Sequence, residues 1–195
     1  MIKGEKIGIR AVERRDLPAL MEWRNREDFR RYFREYREIG QENQAVWFER
    51  VVLGDKNTIM FSIVDVDSGE LLGCCGLCYI NWIQRFADLS LYIGWNGSYI
   101  DDEGYAEESC RLLFDYAFGE LGLHKVWTEI YEFDNPKNEL YLSLGFKQDG
   151  LLRENYFHKG RWWDSRVLSL LGSDWMETYM TDDLSREKQK PNLPL

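Results

Sequence analysis

Several things are missing from this chain, and each absence narrows what it can be. No apolar run approaches the ~20 residues that a membrane-spanning helix needs, so no membrane role is expected. Basic residues are in deficit, 25 Lys and Arg against 34 Asp and Glu, a formal net charge of −9. Such a surface repels phosphate backbones and argues against general nucleic-acid binding. The cysteines form a C-C-x-x-C run (Cys74, Cys75, Cys78) with Cys110 apart, but no second Cys/His pair stands at a spacing that would complete a four-ligand zinc site. The run lies inside an apolar stretch that reads as a strand, so buried free thiols and no metal are expected, which fits a reducing cytoplasm. The polar stretch Met1 to Arg10 carries no signal-peptide pattern, and no internal repeat or linker divides the chain. Residues 1–175 are expected to form one domain and 176–195 a loose polar tail.

What is present is ample apolar and aromatic material: 44% hydrophobic residues, with eight Trp and eleven Tyr in 195 residues. That suffices for one sizeable core. Ile7 to Val12 reads as a short strand, followed by a helix from Asp16, a capping residue, to Asn25. Phe29, Tyr32, Phe33 and Tyr36 recur at i, i+3, i+4 and i+7, which predicts a helix over Arg26 to Glu38. Arg30, Arg31, Arg34 and Arg37 crowd its other sides. Gln41 to Leu53 reads as a further amphipathic helix with Val46, Trp47 and Val51 inside. Thr58 to Val66 and Glu70 to Asn81 form a hairpin around Asp67-Ser68-Gly69. Ala87 to Trp95 is apolar enough for burial on both faces.

Ala106, Cys110, Leu113 and Ala117 then mark the buried stripe of a patterned helix. Lys125 to Tyr131 is a strand, Asn135 and Pro136 open a short helix that stops at Gly145, and strands Phe146 to Asn155 and Arg161 to Leu171 close the domain. The order β-α-α-β-β-β-α-β-α-β-β describes an α/β domain, a mixed sheet with helices on its faces.

Two features carry chemistry. Gly104-Tyr105-Ala106 opens the patterned helix, where unpaired N–H groups and small residues suit an approaching phosphate. Tyr141 lies one turn before Leu144-Gly145-Phe146, where its hydroxyl could serve as a positioned proton donor, with an ordinary pKa near ~10.

Taken together these residues resemble the GNAT N-acetyltransferases, from about Ile7 to Leu171. Within the superfamily the branch of ribosomal-protein alanine, spermidine and nucleotide-aminosugar acetyltransferases is similar in several places. These are Trp23-Arg24-Asn25, Ile80-Asn81-Trp82 with Arg85-x-Ala87-Asp88, Leu152-Arg153-Glu154-Asn155-Tyr156-Phe157, and Gly160-Arg161-x-x-Asp164. The resemblance implies a mostly antiparallel central sheet with helices on both faces, and acetyl-CoA as co-substrate. It places the pyrophosphate loop on Asp101 to Ala106, with Glu103, Gly104, Tyr105 and Ala106 at the cofactor. Leu91, Tyr92 and Ile93 would run beside the pantetheine arm, and Asn135 and Lys137 would touch CoA. Tyr141 falls on the general acid. Asp88, Glu129 and Glu132 are candidate bases, Asp88 first among them. The acceptor would lie around Trp23, Arg24, Arg30 and Phe33.

The sequence departs from the family at this loop. The family usually has Arg or Gln first and then Gly-Lys-Gly. Here the stretch is Asp101-Asp102-Glu103-Gly104-Tyr105-Ala106, three acidic side chains where the pyrophosphate would sit, and Asp134 replaces a common Asn. An alternative reading is therefore a GNAT-fold binding or assembly module with weak or no acetyl-CoA turnover. The acceptor also stays open. The arginines would suit an anionic aminosugar nucleotide, whereas the acidic net charge leans toward polyamines or protein N-termini. Trp162 and Trp163 on the last hairpin would serve either the core or a homodimer surface.

Overall fold

Strands form close to where the alternating pattern puts them. In the computed structural model, which describes residues 1–177, they are β1 (Ile2–Lys3), β2 (Ile7–Ala11), β3 (Ile59–Asp65), β4 (Leu71–Asn81), β5 (Phe86–Ile93), β6 (Lys125–Tyr131), β7 (Lys147–His158) and β8 (Arg161–Leu171). They build one sheet in the order β1-β2-β3-β4-β5-β6-β8-β7. Every neighbouring pair is antiparallel except β5 with β6. The expected mixed, mostly antiparallel sheet is what forms. The tail expected to be loose falls almost wholly outside the described residues.

The helices are α1 (Leu17–Asn25), α2 (Glu27–Arg30), α3 (Gln41–Trp47), α4 (Tyr105–Phe114) and α5 (Asn135–Ser143). After α3 and α4 the chain continues through wider, π-type turns at Phe48–Leu53 and Asp115–Glu120. Helices cover both faces because β4 and β5 are apolar on both. On one face Cys75, Leu77, Leu89 and Leu91 pack with Cys110, Leu113 and Phe114 of α4 and Tyr141 of α5. On the other, Cys74 and Tyr92 meet Leu20 of α1, Phe29 of α2 and Phe48. Full burial of each large side chain stabilises the fold by about 1.5–3 kcal/mol. Cys74, Cys75 and Cys110 are buried free thiols and Cys78 is partly buried, and burial pushes the Cys74 thiol up to about 12. Among the described residues no His, Cys, Asp or Glu cluster is arranged to hold a metal, and no helix is long and apolar enough to cross a membrane.

Several expectations change. The helix expected over Arg26 to Glu38 lasts only four residues, and 31–40 forms turns and bends. Phe29 is buried, while Tyr36 is 81% exposed. Val46, expected inside, is exposed. Asp16 precedes α1, but its carboxylate makes no cap hydrogen bond to that helix. Instead it accepts from Arg10 at 2.7 and 2.8 Å, Ser62 Oγ at 2.7 Å and the Glu13 N–H at 2.8 Å. Burial pushes its pKa up, but these partners outweigh burial and hold it below its ordinary value. The two tryptophans divide: Trp163 turns inward against Phe133, ring centroids 5.1 Å apart, while Trp162 is exposed beside Phe157.

Gly94, at the end of β5, shows how tightly α1 sits on the sheet. A Cβ there would lie 1.9 Å from the Trp23 ring, so only glycine lets that indole close over the strand end. Gly94→Ala should therefore lose about 1–3 kcal/mol of stability through overpacking. A urea denaturation midpoint unchanged from the parent would contradict this.

Candidate active site

Strand β5 pairs with parallel β6 at only three positions, Phe86↔Lys125, Ala87↔Val126 and Asp88↔Trp127. Beyond Asp88 the two part. Residues 89–93 stay with β4, and residues 128–131 stay with β8. The result is a V-shaped gap with Asp88 at its vertex. A cleft of about 340 Å³ opens there, lined among others by Arg24, Phe33, Asp88, Tyr92, Glu129 and Lys137.

Asp88 is 5% exposed. One carboxylate oxygen, Oδ2, accepts from Arg34 at 2.8 Å, and the other, Oδ1, is buried without a hydrogen-bond partner. Burial lifts its pKa above the ordinary carboxylate value, and the Arg34 and Lys137 charges pull back against that rise. Arg34 also reaches Glu129 Oε2 at 3.7 Å. Glu129 Oε1 is held by Asn155 Nδ2 at 2.7 Å.

Behind the vertex lies α5. Asp134, 2% exposed, caps it by accepting from the Lys137 N–H at 3.2 Å and takes a 3.3 Å hydrogen bond from the Tyr99 hydroxyl. The Lys137 ammonium sits 4.9 Å from the Tyr99 ring centre, and burial lowers its pKa. Asn135 lies exposed on the first turn of α5. Tyr141 is fully buried and stacks on Phe146, yet its hydroxyl has no partner. Burial raises that phenol well above its ordinary value, so it keeps its proton at neutral pH.

The start of α4 is arranged differently from expectation. Gly104 precedes it with φ +87°, a left-handed conformation that favours glycine. The two N–H groups that follow, of Tyr105 and Ala106, both donate at 2.7 Å to the Asp101 carboxylate. The acidic loop thus turns one carboxylate inward as a helix cap while Asp102 and Glu103 face water. Lys6, from the β1–β2 hairpin, brings a cation to the same loop, donating to the Glu103 carbonyl at 2.7 Å.

The cleft therefore gathers Arg24, Phe33, Asp88, Leu91, Tyr92 and Lys137, with the Arg24 guanidinium 4.6 Å from the Phe33 ring centre. Two expected acceptor residues fall elsewhere. Trp23 packs on Gly94, and Arg30 lines a separate groove with Tyr36 and Tyr156. Arg34, expected with Arg30 and Arg31 to grip an anionic acceptor, pairs instead with Asp88 and Glu129, a placement that needs the unwinding of 31–40. Asp101 was legible only as a charge, although an Asp shortly before a helix start is also a capping signal. No local signal pointed to Lys6, which arrives from almost a hundred residues away.

Residues 6–147 match the acetyltransferase (GNAT) domain family, and the chain belongs to that family. A spermidine N(1)-acetyltransferase of Vibrio cholerae is 28% identical over 173 residues, 88% of this chain and 96% of that one. An uncharacterized N-acetyltransferase, p20, of Bacillus licheniformis is 25% identical over 88% of this chain and 96% of its own. The crystal structure of the Vibrio cholerae spermidine N-acetyltransferase with CoA and spermine superposes with a TM-score of 0.79. It shares 27% identity and covers 88% of this chain and 98% of that one.

The Asp101 cap generates a test. Asp101→Ala should lose about 1 kcal/mol of stability with its cap. It should also bind acetyl-CoA about two- to fivefold more tightly, because a negative charge leaves a helix start that attracts anions. Calorimetry reads both the affinity and its sign, and equal or weaker binding would mean that the carboxylate does not compete.

Proposed function

We propose that this enzyme N-acetylates a cationic primary amine of the polyamine kind, by direct attack of the amine on acetyl-CoA. The observation that carries the acceptor class is the vertex itself, where Asp88, buried and with one free oxygen, faces a cation shared with Glu129. An anionic acceptor has less support. Arg34 is engaged with carboxylates, and Arg30 lies outside the cleft. The spermidine acetyltransferases among the relatives support the same direction. The binding-module alternative has only the Asp101 cap in its favour.

The residues fit the co-substrate. Beyond Asp88, β5 offers backbone groups that β6 does not use, and the Tyr141 hydroxyl is a buried donor without a partner. When bound, acetyl-CoA supplies an acetyl group already activated as a thioester. The chain supplies position and proton transfer. Asp88 attracts the acceptor's ammonium and takes its proton, and the raised pKa of its carboxyl makes it a stronger base than an exposed aspartate. Glu129 holds further positive charge on the acceptor. Tyr141 Oη keeps a proton to give to the departing sulfur. Arg24 and Lys137 line the walls, and burial lowers the Lys137 pKa, so that its charge is held less firmly than a guanidinium's.

Thiol release with spermidine tests this reading. The rate constant kcat/KM should rise with pH as Asp88 loses its proton, with its acid limb above the ordinary carboxylate value of about 3.9. Asp88→Asn should lower kcat/KM by about 10²–10³. Full activity in that variant would remove Asp88 from the proposed role. Tyr141→Phe separates chemistry from packing. It deletes an unpartnered buried hydroxyl, so stability should hold or rise, while kcat falls by about 10²-fold. Lost stability with unchanged kcat would make Tyr141 a core residue only.

A further inference from the structure

The acceptor cleft already contains a cation that belongs to the protein. Arg34 extends from the turn-and-bend segment 31–40, places one guanidinium nitrogen 2.8 Å from Asp88 Oδ2 and the other 3.7 Å from Glu129 Oε2. We propose that Arg34 is a displaceable stand-in for the acceptor's ammonium, occupying its seat at Asp88 and Glu129 until a cationic amine takes its place. The inference rests on reading the cleft as the amine site, and it adds a selection step to that reading.

Four observations support it. First, the segment is anchored on both sides of Arg34 and free between the anchors. Tyr32 stacks on Tyr99 at 4.2 Å, and Phe33 meets Tyr92 edge-on at 5.2 Å. On the far side, the Asn25 side chain clamps the Ile39 backbone, donating to its carbonyl at 2.8 Å and accepting from its N–H at 2.7 Å. From 34 to 38 the Glu35–Arg37 pair is internal to the span, and Tyr36 is exposed. The Arg34 side chain can therefore swing outward without disturbing either anchor.

Second, the Arg34 side chain is 47% exposed, against 7% for Asp88. Water reaches the cation far more than the anion, so Arg34 can leave into solvent, and an incoming cation keeps the buried carboxylate paired as it does so. Third, Asp88 Oδ1 has no partner even with Arg34 in place. A guanidinium that satisfies one oxygen and leaves the other orphaned does not complete the site, whereas an ammonium with three donors can serve both. Fourth, the chemistry of the two cations differs. Guanidinium stays protonated at any physiological pH and cannot act as a nucleophile, whereas a primary ammonium can yield its proton to Asp88. Arg34 thus fills the seat without reacting there.

The consequence is a filter on charge. A neutral or anionic amine gains nothing at Asp88 that compensates for expelling Arg34. A polyamine brings one cation for Asp88 and another for Glu129, replacing both contacts.

The test compares the parent with Arg34→Gln and Arg34→Lys in spermidine acetylation, with acetyl-CoA saturating. Arg34→Gln should lower the KM for spermidine about fivefold, the scale of one partly exposed ion pair. Arg34→Lys, which keeps a cation on the segment, should stay near the parent. Methylguanidine added to Arg34→Gln should act as a competitor of spermidine and raise its KM again. The acid limb of the pH profile should also move upward in Arg34→Gln, because a charge that favours ionised Asp88 is gone. Glu129 from β6, Cys78 from β4, and Lys137 and Tyr141 from α5 remain around Asp88 and are common to all three proteins.

A higher or unchanged spermidine KM in Arg34→Gln, with the parent active, overturns the stand-in and leaves the acceptor class intact. No turnover of any cationic amine by the parent and both variants overturns acceptor class and stand-in together. An inactive parent with an active Arg34→Gln supports both.

Discussion

The cleft exists because two parallel strands stop pairing after Asp88. Up to that residue β5 and β6 are ordinary sheet neighbours. Past it, each keeps its outer partner, so the gap is held open from both sides by complete antiparallel ladders. Along the gap, the edges of β5 and β6 that face each other keep backbone groups that the sheet does not pair. Around this vertex stand Asp88 at its point, Glu129 on one arm, Leu91 to Ile93 on the other, and α5 behind.

Electrostatics follow from that geometry. A carboxylate at the closed end of a gap loses water first, so burial dominates its pKa. Asp134 and Lys137 behave alike at the start of α5, where burial shifts both toward neutrality and each partly restores the other's charge. Tyr99 lies under both the 31–40 segment and α5, stacked by Tyr32, hydrogen-bonded to Asp134 and faced by Lys137. Through this one ring the 31–40 segment and the α5 cap share a foundation.

The parts of this arrangement that depend on local pattern could be read from the chain, and the parts that depend on distant partners could not. Cys74, Cys75 and Leu77 read as strand and are strand; Gly104-Tyr105-Ala106 reads as a helix entry and is one. Asp88, first of the three candidate carboxylates in the sequence, is the last β5 residue paired with β6, a placement that follows from the strand pattern. The segment after Arg26 failed for a physical reason. Spacing of i, i+3, i+4 and i+7 satisfies a helix, but it equally allows Phe29, Tyr32 and Phe33 to gather around Tyr99, about seventy residues later in the chain. Tertiary packing on that ring overrode periodicity. The charge of the Asp101-Asp102-Glu103 loop is legible in the sequence, whereas which of the three carboxylates turns inward to cap α4 is decided by the left-handed backbone at Gly104.

The same loop has an unexpected foundation. Glu108, on the first turns of α4, accepts hydrogen bonds from the backbone N–H groups of Glu5 and Lys6, and Lys6 returns one through its side chain to Glu103. The short β1–β2 hairpin is thereby a strut beneath the start of α4. A change at Lys6 or Glu108 would therefore be felt at the helix entry about a hundred positions downstream, so two stretches far apart in the chain stand or fall together.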